Sequence, residues 1–199
     1  MNTPSMSASP AARAGILFLV ILGVIAATFS FAVWHHDDND RRVRFSLINH
    51  QGDPVSERDL GGRHLLVFFG FTNCQMICPT QMQKITRVMA DLSRTGHGTG
   101  VQPVFISVDP ERDSPEKIAR YLTHFDERFV GLTGSRPALR SAANSFKTLL
   151  QDMKEGREDG YQITHSSLTY IVDPFGRVID YVPGATGSTA FADKVRTLL

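Results

Sequence analysis

The sequence predicts an α/β fold, a mixed sheet with helices on both faces. Three observations predict it. His64 to Phe71 (HLLVFFGF) and Val101 to Val108 (VQPVFISV) are continuous apolar runs of strand length, the pattern of strands buried on both faces. Segments with helical spacing follow each run. The end of the chain reads as strand, turn, strand and helix. The resulting order, β-α-β-α-β-α-β-β-α, implies a layered α/β domain. Right-handed crossovers then leave few topologies.

Taken in order, Val43 to Ile48 alternates as a strand does, and Gln51-Gly52-Asp53-Pro54 is a turn. After the first buried strand, Pro79 to Ser93 places Met82, Ile85, Met89 and Leu92 on one helical face, with Pro79 suited to a first turn. Ser114 to Phe125 opens with the cap-like Ser-Pro-Glu and predicts a helix. Phe129 to Leu132 predicts a short strand and Arg136 to Leu150 a third helix. Gln151 to Gln162 is polar and irregular, an expected surface excursion. Leu168 to Val172 and Val178 to Val182 flank the turn Pro174-Phe175-Gly176 as a hairpin, and Phe191 to Leu199 predicts a closing helix. A strand, a cysteine-bearing loop and a helix, with a hairpin and helix at the end, is the thioredoxin-like (peroxiredoxin-like) pattern.

Gly15 to Trp34 carries no charged residue, matching the roughly 20 apolar residues of a membrane-spanning helix. Arg13 precedes it, while His35, His36, Asp37, Asp38 and Asp40 follow, so the positive-inside bias directs the N-terminus to the cytoplasm. Trp34 suits an interfacial anchor. The expected organisation is a cytoplasmic segment 1–14, a transmembrane anchor 15–34, a linker 35–42 and a thioredoxin-like domain 43–199. A secretory signal cleaved near Ser30-Phe31-Ala32 is the other reading. Both readings export the domain. The basic, Ser-rich pattern of an organellar transit peptide is missing, which points to a bacterial inner membrane with the domain in the periplasm.

The 199 residues carry a formal net charge of +1, with scattered arginines rather than a basic stripe, so nucleic acid is not an expected partner. Only two cysteines are present, so the domain cannot be a multi-bridge disulfide scaffold and must hold itself by packing. They are Cys74 and Cys78, in Cys74-Gln-Met-Ile-Cys78-Pro79, between a strand and a helix. Unpaired N–H groups at a helix start favour a thiolate, so both cysteines are expected to ionise readily. Residues i and i+4 on a first turn can close a disulfide or share an ion. A disulfide here would close a short loop and gain little entropy.

Redox motifs of the thioredoxin type have two residues between the cysteines, and this loop has three. Soft sulfur ligands select Cu(I), zinc or iron–sulfur. A closed zinc site wants four ligands, and no third cysteine exists. Two thiolates and an imidazole suit copper, as Cu(I) or Cu(II). Of the seven histidines, His35 and His36 read as solvated linker, and His50, His64, His97 and His124 as surface or packing. His165 differs, because it lies just before the strand Leu168 to Val172, and in a thioredoxin-like fold that approach lies beside the cysteine helix.

These residues resemble the Sco/SenC family of copper-binding proteins. Four blocks carry the resemblance: Phe69-Gly70-Phe71-Thr72-Asn73-Cys74 through Cys78-Pro79, Phe105 through Asp113 (FISVDPERD), Leu132-Thr133-Gly134, and Thr164-His165-Ser166 through Asp173-Pro174-Phe175-Gly176. The likeness runs from Val43 to Leu199. It implies copper ligands at Cys74, Cys78 and His165, an acidic neighbour at Asp109, and assembly of cytochrome c oxidase. The implied function is a metallochaperone that takes copper from a donor protein. It delivers the metal to the CuA centre in oxidase subunit II, or to another acceptor.

The family's loop is often Cys-Pro-acid-x-Cys. Here the acid is absent and Met76 lies between the thiols, with gap-filling or a soft thioether contact as its two roles. A thiol-disulfide oxidoreductase reducing acceptor cysteines is the alternative. Ser166 and Ser167 stand where such reductases carry a cis-proline, which weakens it. A peroxidase on the same fold would need a different cysteine motif.

Overall fold

The computed structural model describes residues 19–30, 42–148 and 167–199. Two units are separate in it, Met1–Arg41 and Arg42–Leu199. In the first, residues 19–30 are helical (α1) and present their apolar side chains outward. Among the described residues no helix is long and apolar enough to cross a membrane. Positions 15–18 and 31–34 of the expected anchor lie outside the described residues, as do residues 1–14 and most of the linker.

The second unit is built on a seven-stranded sheet ordered β2-β1-β5-β4-β3-β6-β7. The strands are β1 (Ser46–Asn49), β2 (Pro54–Ser56), β3 (His64–Gly70), β4 (Val101–Ser107), β5 (Val130–Thr133), β6 (Thr169–Val172) and β7 (Val178–Val182). The helices are α2 (Ile77–Arg94), α3 (Pro115–Leu122), α4 (Arg136–Ser145) and α5 (Ser188–Arg196). Strands β3, β4 and β5 are parallel, whereas β1, β6 and β7 pair antiparallel. This is the mixed sheet expected.

The two apolar runs become β3 and β4, neighbours at the sheet centre and buried along nearly their whole length. Such burial requires cover on both faces. Helix α2 packs with α5, while α3 lies against β5 and α4 against β1. Gly131 in β5 allows that approach, since a Cβ there would sit 2.3 Å from the Ile118 side chain of α3. Ser114 caps α3 by accepting from the N–H of Lys117 at 3.3 Å, and Ser135 caps α4 in the same way. Each such cap is worth about 1 kcal/mol.

Several elements differ from expectation: α4 stops at Ser145 short of Leu150, and α5 runs Ser188–Arg196 rather than from Phe191 to Leu199. Val43 is not part of β1: its N–H donates to the Gly176 carbonyl at 2.8 Å, beside the turn between β6 and β7. The chain then crosses to pair with β5, keeping Val43, Phe45 and Leu47 buried in alternation. Strand β2 begins at Pro54, the last residue of the expected turn, and hairpins onto β1. The excursion 151–162 lies outside the described residues.

The carboxyl ends of β3, β4 and β5 emerge at one edge. The register Phe68↔Thr169 brings the start of antiparallel β6 to that same edge. In open α/β sheets this edge is where ligands bind.

Candidate metal centre

Strand β3 ends at Gly70, whose carbonyl accepts from the N–H of Val108 at 2.9 Å. The chain then turns tightly, with the N–H of Cys74 donating to the Phe71 carbonyl at 3.3 Å. Helix α2 starts at Ile77. The first N–H groups of any helix lack partners within it. Met76, the capping position, supplies no side-chain bond. The sulfur of Cys74 takes that place, accepting from the N–H of Cys78 at 3.4 Å.

The two cysteines are not joined in a disulfide, and their surroundings are unlike. Cys74 is half-buried. Burial works against its ionisation, yet the Cys78 N–H and thiol and the N–H groups of Met76 and Ile77 converge on its sulfur. They bring the thiol below the usual cysteine range. Cys78 is 0% exposed, part of the core beside Gly70. Burial pushes its thiol well up, reinforced by the nearby Cys74 and Asp113. The expectation that both cysteines ionise readily therefore holds for Cys74 and fails for Cys78. The helix-start N–H groups are spent on Cys74, and for the sulfur behind it burial outweighs the Phe71 N–H that favours its thiolate.

Two carboxylates follow β4. Asp109 is buried and ion-paired with Arg112, whose guanidinium lies 5.9 Å from the centre of the Phe71 ring. It thus braces the residue before the cysteine loop. Asp113, also buried, accepts from the N–H of Thr72 at 2.9 Å, the Thr72 hydroxyl at 2.5 Å and the Ser107 hydroxyl at 2.6 Å. Lys117 stands 3.5 Å from it and also donates to the Asn73 side chain at 3.3 Å. Asp113 was not singled out from the sequence. Its only signal was membership of the run Asp109 to Asp113, because its partner Thr72 is far away along the chain.

Tyr121 of α3 completes the surroundings. Its hydroxyl is buried with no hydrogen-bond partner among the described residues. Burial, then the nearby Cys78, Cys74 and Asp113, raise its pKa.

His165 lies outside the described residues. Among the described residues no group of three or more His, Cys, Asp or Glu side chains is arranged to hold a metal ion. His50 has a structural task, its Nδ1 accepting from the Gly131 N–H at 3.1 Å. His64 is partly buried, which lowers its pKa. His97 meets the hydroxyl of Thr95 at 3.3 Å, and the His124 carbonyl accepts from Gln83.

Comparison with known proteins adds a family to this geometry. The profile of the SCO1/SenC family matches residues 35–199. The chain is 32% identical over 216 aligned positions to the mitochondrial protein SCO2 homolog of Danio rerio, covering 98% of this chain and 77% of that one. Arabidopsis thaliana ScoI, solved with copper bound, superposes with a TM-score of 0.71 at 32% identity, over 79% of this chain and 96% of that one. BsSco is a Sco-family cytochrome c oxidase assembly protein in which a disulfide switch was identified. It superposes with a TM-score of 0.63 at 28% identity, over 79% of this chain and 92% of that one.

Proposed function

Because the chain belongs to the SCO1/SenC family, we propose that it is a copper metallochaperone. Cys74, Cys78 and His165 hold the metal, and its destination is the CuA centre of cytochrome c oxidase. The observation that carries this reading is the pair of cysteines at the start of α2, not joined in a disulfide and one of them favoured as thiolate. Two soft sulfurs fit Cu(I), and an imidazole completes three-coordination. The copper-bound plant relative and the oxidase-assembly role of BsSco support the cargo and the destination. The register of β6 supports His165 as third ligand, since the chain enters that strand at the edge from which Cys74 emerges. Asp109 acts from behind, through Arg112 and Phe71.

In this reading a donor protein loads copper onto the reduced pair, and an acceptor thiolate displaces the ligands one at a time. Both thiols lose their protons as copper binds, so the oxidation state of the pair gates loading. The apolar segment 15–34 tethers the domain to a bacterial inner membrane, with the domain in the periplasm.

One observation favours a second activity at the same site. A half-exposed, acidified Cys74 ahead of a buried Cys78 is the arrangement of an attacking and a resolving thiol. Cys74 thiolate attacks an acceptor disulfide to form a mixed disulfide. Cys78 then displaces the acceptor's second sulfur as thiol, leaving Cys74–Cys78 oxidised and the acceptor reduced by two electrons.

Titration of the reduced full chain with Cu(I) against a competing chelator tests the first reading. One tightly held copper per chain is expected, with affinity lost in Cys74→Ser, Cys78→Ser and His165→Ala. Full affinity in Cys74→Ser or His165→Ala ends it. Weak copper binding, with Cys78→Ser trapping a mixed disulfide, would favour the reductase.

A further inference from the structure

Met76 stands between the two thiols and is 77% exposed. The other described methionines of this region, Met82 and Met89, lie on the buried face of α2 and are 0% exposed, filling the core. Gap-filling is therefore not the task of Met76. Single exposed apolar residues are common and need no explanation by themselves. Its placement is what distinguishes this one. The Met76 N–H is among the groups directed at the Cys74 sulfur. Its carbonyl accepts from the Thr80 hydroxyl at 2.7 Å and from the Thr80 N–H at 3.4 Å. The backbone is thus held on both sides while the side chain stands in solvent, with three rotatable bonds to swing a sulfur over the neighbouring thiol.

Three sulfur-bearing residues at one helix start thus differ in depth: Met76 in solvent, Cys74 half-buried, Cys78 in the core. The residues between the cysteines, Gln75, Met76 and Ile77, carry no charge, so no carboxylate competes for the metal there. A thioether is a soft donor that selects Cu(I) over harder ions. It carries no proton, so it can take the metal without first releasing one.

We propose that Met76 is a copper-receiving ligand of this site, the outermost of three sulfur donors, which takes up Cu(I) and passes it inward to Cys74 and Cys78. This rests on reading the cysteine pair as a copper site. The Cu–thioether bond forms as a bond to the donor breaks. Cu–thiolate bonds to Cys74 and then Cys78 follow as each thiol gives up its proton, and the Cu–thioether bond breaks last, as the imidazole of the copper site takes its place. Copper stays Cu(I) throughout, so no electron acceptor is needed. Return of the metal to an acceptor runs through the same sulfurs in reverse.

The test uses the full chain carrying selenium in its methionines, reduced and loaded with Cu(I) from a chelate. X-ray absorption at the selenium edge, on samples frozen during uptake, is expected to show copper in a first shell, and Met76→Leu to remove that signal. The same substitution is expected to slow copper uptake several-fold, while the far-ultraviolet dichroism of so exposed a position stays unchanged. Copper held by the cysteines with no copper near selenium, and uptake in Met76→Leu as fast as in the parent, would overturn the role of Met76 alone. A parent chain that takes up no Cu(I) would overturn the copper site and this inference together.

Discussion

The carboxylate of Asp113 accepts from both the backbone N–H and the hydroxyl of Thr72, at 2.9 and 2.5 Å across 41 positions of sequence. This ties the loop after β4 to the loop that presents the cysteines. Asp113→Ala would leave the Thr72 and Ser107 donors facing an empty acceptor site, and Lys117 without its carboxylate. Losing a buried, multiply bonded charge costs about 3–5 kcal/mol. Urea unfolding is expected to shift by that much, and copper affinity to fall because Thr72 no longer anchors the loop. An unchanged midpoint would show that the pairing carries no weight.

Gly70 is the last residue of β3, and a Cβ there would lie 2.9 Å from the Phe68 and Phe105 rings and 3.0 Å from the Cys78 sulfur. The rings are buried and cannot swing clear. Gly70→Ala is therefore expected to destabilise by about 1–3 kcal/mol through overpacking. It also pushes on the deeper thiol, so Cu(I) affinity should fall alongside stability. Thermal melts and chelator competition on the same preparation check both effects. A variant with parent-like stability and affinity would mean that the site relaxes without cost.

The sheet centre was legible because β3 and β4 are long apolar runs, and α2 because Met82, Ile85, Met89 and Leu92 repeat at helical spacing. Strand β2 was not, since Pro54, Val55 and Ser56 form no hydrophobic pattern and take strand geometry from pairing with β1. In the site, Cys74 and Cys78 were visible from spacing alone. Their inequality was not, because it depends on which sulfur receives the N–H groups and which is packed beneath Gly70. Asp113 was hidden for a related reason: its partners lie on β4, in the cysteine loop and on α3, and only folding assembles them.

The unlike thiols predict a stability that peaks and then falls as pH rises. The folded Cys74 ionises below its usual range, so the unfolded chain binds more protons there and stability rises with pH up to the ordinary cysteine value, about 8.5. Cys78 and Tyr121 have raised pKa values, so at higher pH the folded chain holds protons that the unfolded chain has lost, and stability declines. Urea unfolding of the reduced, copper-free chain from neutral pH to pH 10 measures the profile. Cys78→Ala is expected to flatten the alkaline side, and an alkaline limb equally steep in that variant would contradict the assignment. Iodoacetamide at neutral pH should label Cys74 ahead of Cys78, by exposure as well as by ionisation.

The Tyr121 hydroxyl offers a stabilising substitution. Its oxygen is buried without a partner among the described residues, while its ring packs 5.7 Å from Phe105 and 5.0 Å from Phe125, centre to centre. A buried polar group without a hydrogen bond costs about 1–3 kcal/mol. Tyr121→Phe keeps the ring contacts and removes that cost, so the copper-free chain should gain about 1 kcal/mol or more in urea unfolding. The hydroxyl also lies close enough to Cys74, Cys78 and Asp113 for their negative charges to raise its pKa. The Phe variant should therefore be more stable at neutral pH and widen that advantage at alkaline pH, because the raised Tyr121 pKa no longer costs stability there. A variant less stable than the parent at neutral pH would mean that the hydroxyl already has a partner in solution.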